Sequence, residues 1–129
     1  MAYGDPADKA LLRLEVRRYV GRCEGNEGLV QRADSLRELA RLAATTLPYR
    51  IANEMEAREA QRHLLLAAED RARELIVEQV AVFAKAGQDH RVGLRSKMVE
   101  DWANLTGPLS HLRTWAKGKL TLAEQSLLP

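Results

Sequence analysis

Apolar residues recur at helical spacing along most of the chain. Leu12, Val16, Tyr19, Val20 and Cys23 form one such stripe, which predicts an amphipathic first helix. Asp5 is placed to cap it, Pro6 suits the first helical position, and Asp8 puts negative charge in the first turn. Gly25 reads as its stop, and Asn26 as the cap of a second helix running to about Thr46. Leu29, Ala33, Leu36, Ala40, Ala43 and Leu47 give that second helix an apolar face, with Arg32, Arg37, Glu38 and Arg41 opposite. Pro48 disfavours helical geometry at Leu47, so a break over Thr45–Leu47 is expected in preference to a bend within one longer helix.

From Tyr49 to Ala86 the chain contains neither glycine nor proline, and helix-favouring Ala, Glu, Arg, Leu and Gln dominate. As one helix this stretch would extend ~57 Å at 1.5 Å per residue, so it sets the architecture. Leu65, Ala68, Ala72, Leu75, Ile76, Val80 and Phe83 form a broad core-facing stripe along its second half. The first half, to His63, is thinner: Tyr49, Ile51, Ala52, Met55, Ala57 and Ala60 sit among charges. Glu54–Arg58 and Glu69–Arg73 have the i, i+4 order that supports exposed helix. The first half therefore reads as a segment that projects from the domain or meets a partner chain.

Gly87 ends the long helix and Asp89 can cap the next, whose face is Leu94, Met98, Val99, Trp102 and Leu105. Thr106-Gly107-Pro108 forces a turn into a short helix through Lys117, with Leu109, Leu112, Trp115 and Ala116 apolar and both tryptophans assigned to the core. After Gly118, Thr121 and Glu124 have capping-box spacing for a last turn or two. No strand alternation and no internal repeat is evident. The predicted class is all-α: an antiparallel helical bundle of four to five helices built around one long helix (about 49–86), in a single domain over residues 1–129.

Charge changes this picture little. The net formal charge is +2, with a mild excess in residues 85–129, which carry 7 basic and 4 acidic side chains. Cys23 is the only cysteine, which excludes an internal disulfide and a thiolate metal cluster, and its place on an apolar face predicts a buried, inert thiol. Neither a signal peptide nor a membrane-length apolar run is apparent, so a soluble cytoplasmic protein is the expectation.

Candidate chemistry is sparse. His63, His90 and His111 fall in three different elements, and no pair has the i, i+4 spacing of a helical metal site, so no metal and no cofactor is expected. The segment Arg58-Glu-Ala-Gln-Arg-His63 resembles the Arg-x4-His pattern of the HEPN ribonuclease families, which are small helical dimers. That resemblance would imply a ribonuclease site at Arg58 and His63. In a regular helix, however, residues five apart sit ~140° from each other, and both types are at home on an exposed surface. Serines lie in unrelated contexts and phosphate-cradling glycine loops are absent, so an enzyme is not expected.

Two functional expectations result. The leading one is a non-enzymatic interaction or assembly protein, a homo-oligomer or the binder of a protein partner, using Tyr49, Met55, Ala60 and Leu64 on the long helix. The alternative is a nucleic-acid-binding accessory or regulatory protein. Its basic, helix-turn-helix-like region (90–119) would present Arg91, Arg95, Lys97, Arg113, Lys117 and Lys119 to phosphates and base edges.

Overall fold

The computed structural model describes residues 6–44 and 54–128, and among them are five α-helices and no strand. The first, α1 (Pro6–Gln31), does not stop at Gly25 but runs through Gly21, Gly25 and Gly28. Each interior glycine costs roughly 1 kcal/mol relative to alanine. Burial of Val16, Tyr19, Cys23 and Val30 outweighs this, because sealing one large apolar side chain contributes about 1.5–3 kcal/mol. Asn26 is accordingly a mid-helix residue and not a cap; its side-chain amide donates to the carbonyl of Leu42 at 3.4 Å, tying α1 to the next helix. Leu29, carried along in α1, is turned toward solvent instead of joining the core.

The reversal comes at Arg32–Ser35, where the N–H groups of Arg32 and Ala33 reach back to Leu29 and Val30. Ser35 caps α2 (Leu36–Ala43): its Oγ accepts the Glu38 N–H at 3.1 Å, and Glu38 adds negative charge to the first turn. The turn is fastened to the long helix by Arg71, whose Nε donates to the Ala33 carbonyl at 2.9 Å. Asp5, Tyr49 and the expected break over Thr45–Leu47 lie outside the described residues.

The long helix, α3 (Met55–Lys85), begins after an extended Glu54 and ends at an extended Ala86, a length of ~46 Å. α4 (Gln88–Trp102) starts directly after Gly87, which puts Asp89 in the first turn rather than at the cap. A short 3-10 turn, Gly107–Leu109, then leads into α5 (His111–Ser126). Gly107 holds a φ of +54°, a left-handed backbone that glycine adopts without penalty and that lets Pro108 open the turn. α5 passes through Gly118, where a stop was expected, because Leu112, Ala116 and Leu120 continue one buried stripe across it. The capping box at Thr121 does not form; its hydroxyl donates to the Lys117 carbonyl at 2.9 Å, inside the helix.

Contacts fix the directions. Leu12–Arg17 of α1 lie beside Glu54–Glu56, and Ala33 beside Arg71, so α1 and α3 run the same way. His111 approaches Glu69 while Leu127 lies near Phe83, so α5 also runs with α3. α4 runs opposite: Gln79 of α3 meets Asp101 and Trp102 at the far end of α4. The result is an up-and-down bundle with consecutive helices antiparallel and α3 at its centre. Trp102 is sealed in the core, and its Nε1–H donates to Gln79 Oε1 at 2.9 Å, which satisfies the indole where water cannot reach. Trp115 is only partly buried, packed against the edge of the core. No helix among the described residues is long and apolar enough to cross a membrane.

Candidate interaction surface

α3 carries two apolar faces with different fates. Ala57, Ala60, Leu64, Ala68, Ala72, Leu75, Ile76 and Phe83 are buried within the chain. The small alanines let neighbouring helices approach closely. On the opposite face, Met55, Leu66 and Val77 remain 81%, 48% and 50% exposed. They are eleven residues apart. Eleven steps of about 100° return to within ~20° of the starting direction, so the three side chains line up over ~33 Å.

Charges repeat with the same period. Glu59 and Asp70 each follow an apolar member by four residues, and Arg62 and Arg73 follow by seven. Four residues on falls ~40° to one side of the line, and seven residues on falls ~20° to the other. The stripe therefore has an acidic flank of Glu59 and Asp70 and a flank of Arg62 and Arg73 on which the one carboxylate, Glu69, is only 22% exposed and held between Arg73 and His111. Local ion pairs are loose: Arg73 reaches Glu69 at 3.7 Å and Asp70 at 3.6 Å, and His63 faces Glu59 at 4.0 Å. Loose pairs of this kind, at least partly open to solvent, contribute little and leave the charges available to a partner.

The four residues expected to meet a partner are thus divided. Met55 opens the outward stripe, and Tyr49 lies outside the described residues. Ala60 and Leu64, at 8% and 0% exposure, belong to the chain's own core and are not accessible to a partner. The reason is the placement of α1. From Leu12–Arg17 beside Glu54–Glu56 to Ala33 beside Arg71, the chain of α1 follows the first half of α3 and covers it.

The six basic residues of the C-terminal region do not converge. Arg91 and Arg95 line an open groove of about 840 Å3 with Phe83, Val92 and Leu127, and the Arg95 Nε donates to Glu124 at 3.3 Å. Lys97 lies in a separate groove of about 320 Å3 whose rim carries Asp34, Glu78 and Asp101. Arg113 and Lys117 are exposed one turn apart on α5. Lys119, ~200° around from Lys117, sits over the Trp115 ring at 5.3 Å. α4 and α5, the two helices of the helix-turn-helix-like region, both pack on α3.

Tyr19 and Cys23 lie together in the buried face of α1. Burial pushes the Tyr19 phenol up to about 12, with Cys23 beside it adding to the effect. Burial also raises the Cys23 thiol, offset in part by the neighbouring Tyr19 hydroxyl and the charge of Arg22, so the thiolate is disfavoured. Arg58 and His63 stand ~140° apart on α3, with His63 turned toward Glu59. Among the described residues, no three His, Cys, Asp or Glu side chains come together as metal ligands. Comparison with protein-family models, curated proteins and solved structures finds no match to this chain.

Proposed function

We propose that this chain is a non-enzymatic assembly protein that docks through the outward face of α3. One observation carries the reading: Met55, Leu66 and Val77 stand exposed in line along α3, Leu66 and Val77 on the face that the described helices leave uncovered and Met55 at the rim of a groove beside α1. Single exposed apolar residues are ordinary on a protein surface. Three large ones in register, flanked by a strip of each charge, form a self-contained recognition line. Docking on it removes apolar surface from water at about 25 cal/mol per Å2, while the flanking charges select the partner and its direction.

The nucleic-acid reading stands second, supported by Arg113 and Lys117, which project together from α5. A photo-reactive side chain placed at position 66 or 117 in the full chain, irradiated in cells, separates the two. Protein adducts at 66 and none at 117 are the expected result. Nucleic-acid adducts at 117 with none at 66 would transfer docking to the C-terminal helices. A mobility shift that weakens with salt and disappears in the Arg113→Glu, Lys117→Glu double variant would identify the contact as phosphate.

A further inference from the structure

We infer that the occupant of this face is a second copy of the chain, paired through α3 in parallel and in register about a two-fold axis. The inference rests on the reading that the outward face of α3 is the docking surface. The flanking charges carry it. Glu59 and Asp70 lie to one side of the Met55–Leu66–Val77 line, and Arg62 and Arg73 lie to the other.

A two-fold axis parallel to the helices places the acidic flank of each copy against the basic flank of the other, on both sides of the seam. Glu59 then faces Arg62 of the second copy, and Asp70 faces Arg73. Each such pair is three residues, or ~4.5 Å, apart along the axis, which is within side-chain reach. Met55, Leu66 and Val77 meet their own counterparts in the seam. Reversing one copy instead lays acidic flank on acidic flank and basic on basic, which opposes association. The eleven-residue period also suits a long contact, since it keeps the seam closed with a slight right-handed supercoil. A single helix pair of this length belongs to the small, transient class of interfaces, so the dimer is expected at micromolar rather than nanomolar concentration.

Three single-cysteine additions to the full chain, Met55→Cys, Leu66→Cys and Val77→Cys, test the geometry by mild oxidation. The buried Cys23 of the unsubstituted chain serves as the unreactive control. Parallel, in-register pairing predicts that each variant forms a disulfide-linked dimer by itself. Dimers from Leu66→Cys alone, together with a cross-linked product only when Met55→Cys and Val77→Cys are mixed, would show an antiparallel pair and overturn the inference. A monomer throughout, with protein adducts still captured at position 66 in cells, would overturn the second copy as partner and leave docking through α3 intact. A monomer with no adducts at 66 would remove both. As a charge check, Arg62→Glu with Arg73→Glu makes both flanks acidic and should raise the dimer dissociation constant by at least about tenfold; an unchanged constant counts against the pairing.

Discussion

Leu64-Leu65-Leu66 is the place where the account can be tested by single substitutions, because three identical side chains have three different environments. Leu64 is fully buried under the neighbouring helices, Leu65 is half-buried, and Leu66 is 48% exposed on the outward stripe. Leu64→Ala removes buried methyl groups and leaves a cavity that a helix of this length cannot readily close, so it should cost about 3–4 kcal/mol. That is a large fraction of the roughly 5–15 kcal/mol available to a typical domain. At roughly 3–5 °C per kcal/mol for a chain of this size, the melting temperature should fall by about 10–15 °C. Leu66→Ala keeps helix propensity and removes only half-solvated surface, so it should stay within about 0.5–1 kcal/mol of the parent. Urea titration followed by far-ultraviolet circular dichroism, at a protein concentration low enough to keep the chain monomeric, measures both. Equal losses, or a greater loss at Leu66, would refute the assignment of the covered face of α3.

Other perturbations address the local reasoning. Gly107→Ala forces a Cβ into a left-handed backbone, with an expected loss of about 1–2 kcal/mol in the same titration, although nothing crowds the site itself. Ser35→Ala removes the acceptor for the Glu38 N–H and should cost about 1 kcal/mol, a loss that Ser35→Asp largely avoids. Tyr19 gives a pH dependence of definite sign. Its phenol is raised from 10.0 to about 12 in the fold, so its contribution is complete below pH 10 and is lost as pH rises from 10 toward 12. The urea midpoint of the parent should therefore decline across that window, and Tyr19→Phe should flatten the decline; an unchanged slope would contradict the burial argument.

Much of this architecture is legible in the residues alone. The all-α class, the central long helix and most of the core, including Trp102, Ile76, Leu112 and Ala116, follow from periodicity. The errors sit at glycines and at choices between faces. Gly25 and Gly118 look like stops, yet a glycine penalty of about 1 kcal/mol is small against an apolar stripe that continues on both sides. The true boundary was visible in Ser35-Leu-Arg-Glu38, a capping-box pattern overshadowed by Gly25-Asn26.

The outward stripe is different in kind. Its eleven-residue pattern is present in the chain from Met55 to Val77, but the residues do not announce which face of α3 is covered. Ala60 and Leu64 qualify for a partner as well as Leu66 does until α1 is laid along the helix. That packing joins residues far apart in sequence, and no local spacing encodes it. The C-terminal cations fail to converge for a related reason: spacing places them on the right helices, and only the packing on α3 shows that they open to different sides.

Sedimentation velocity across the micromolar range, comparing the parent chain with Leu66→Glu, measures association of two copies through α3. The parent should show a reversible monomer–dimer equilibrium. The variant should stay a monomer with unchanged helical content, because two carboxylates on the axis lose the apolar contact and repel. A parent that stays monomeric throughout, or a variant that dimerises as the parent does, would contradict association of two copies through this face.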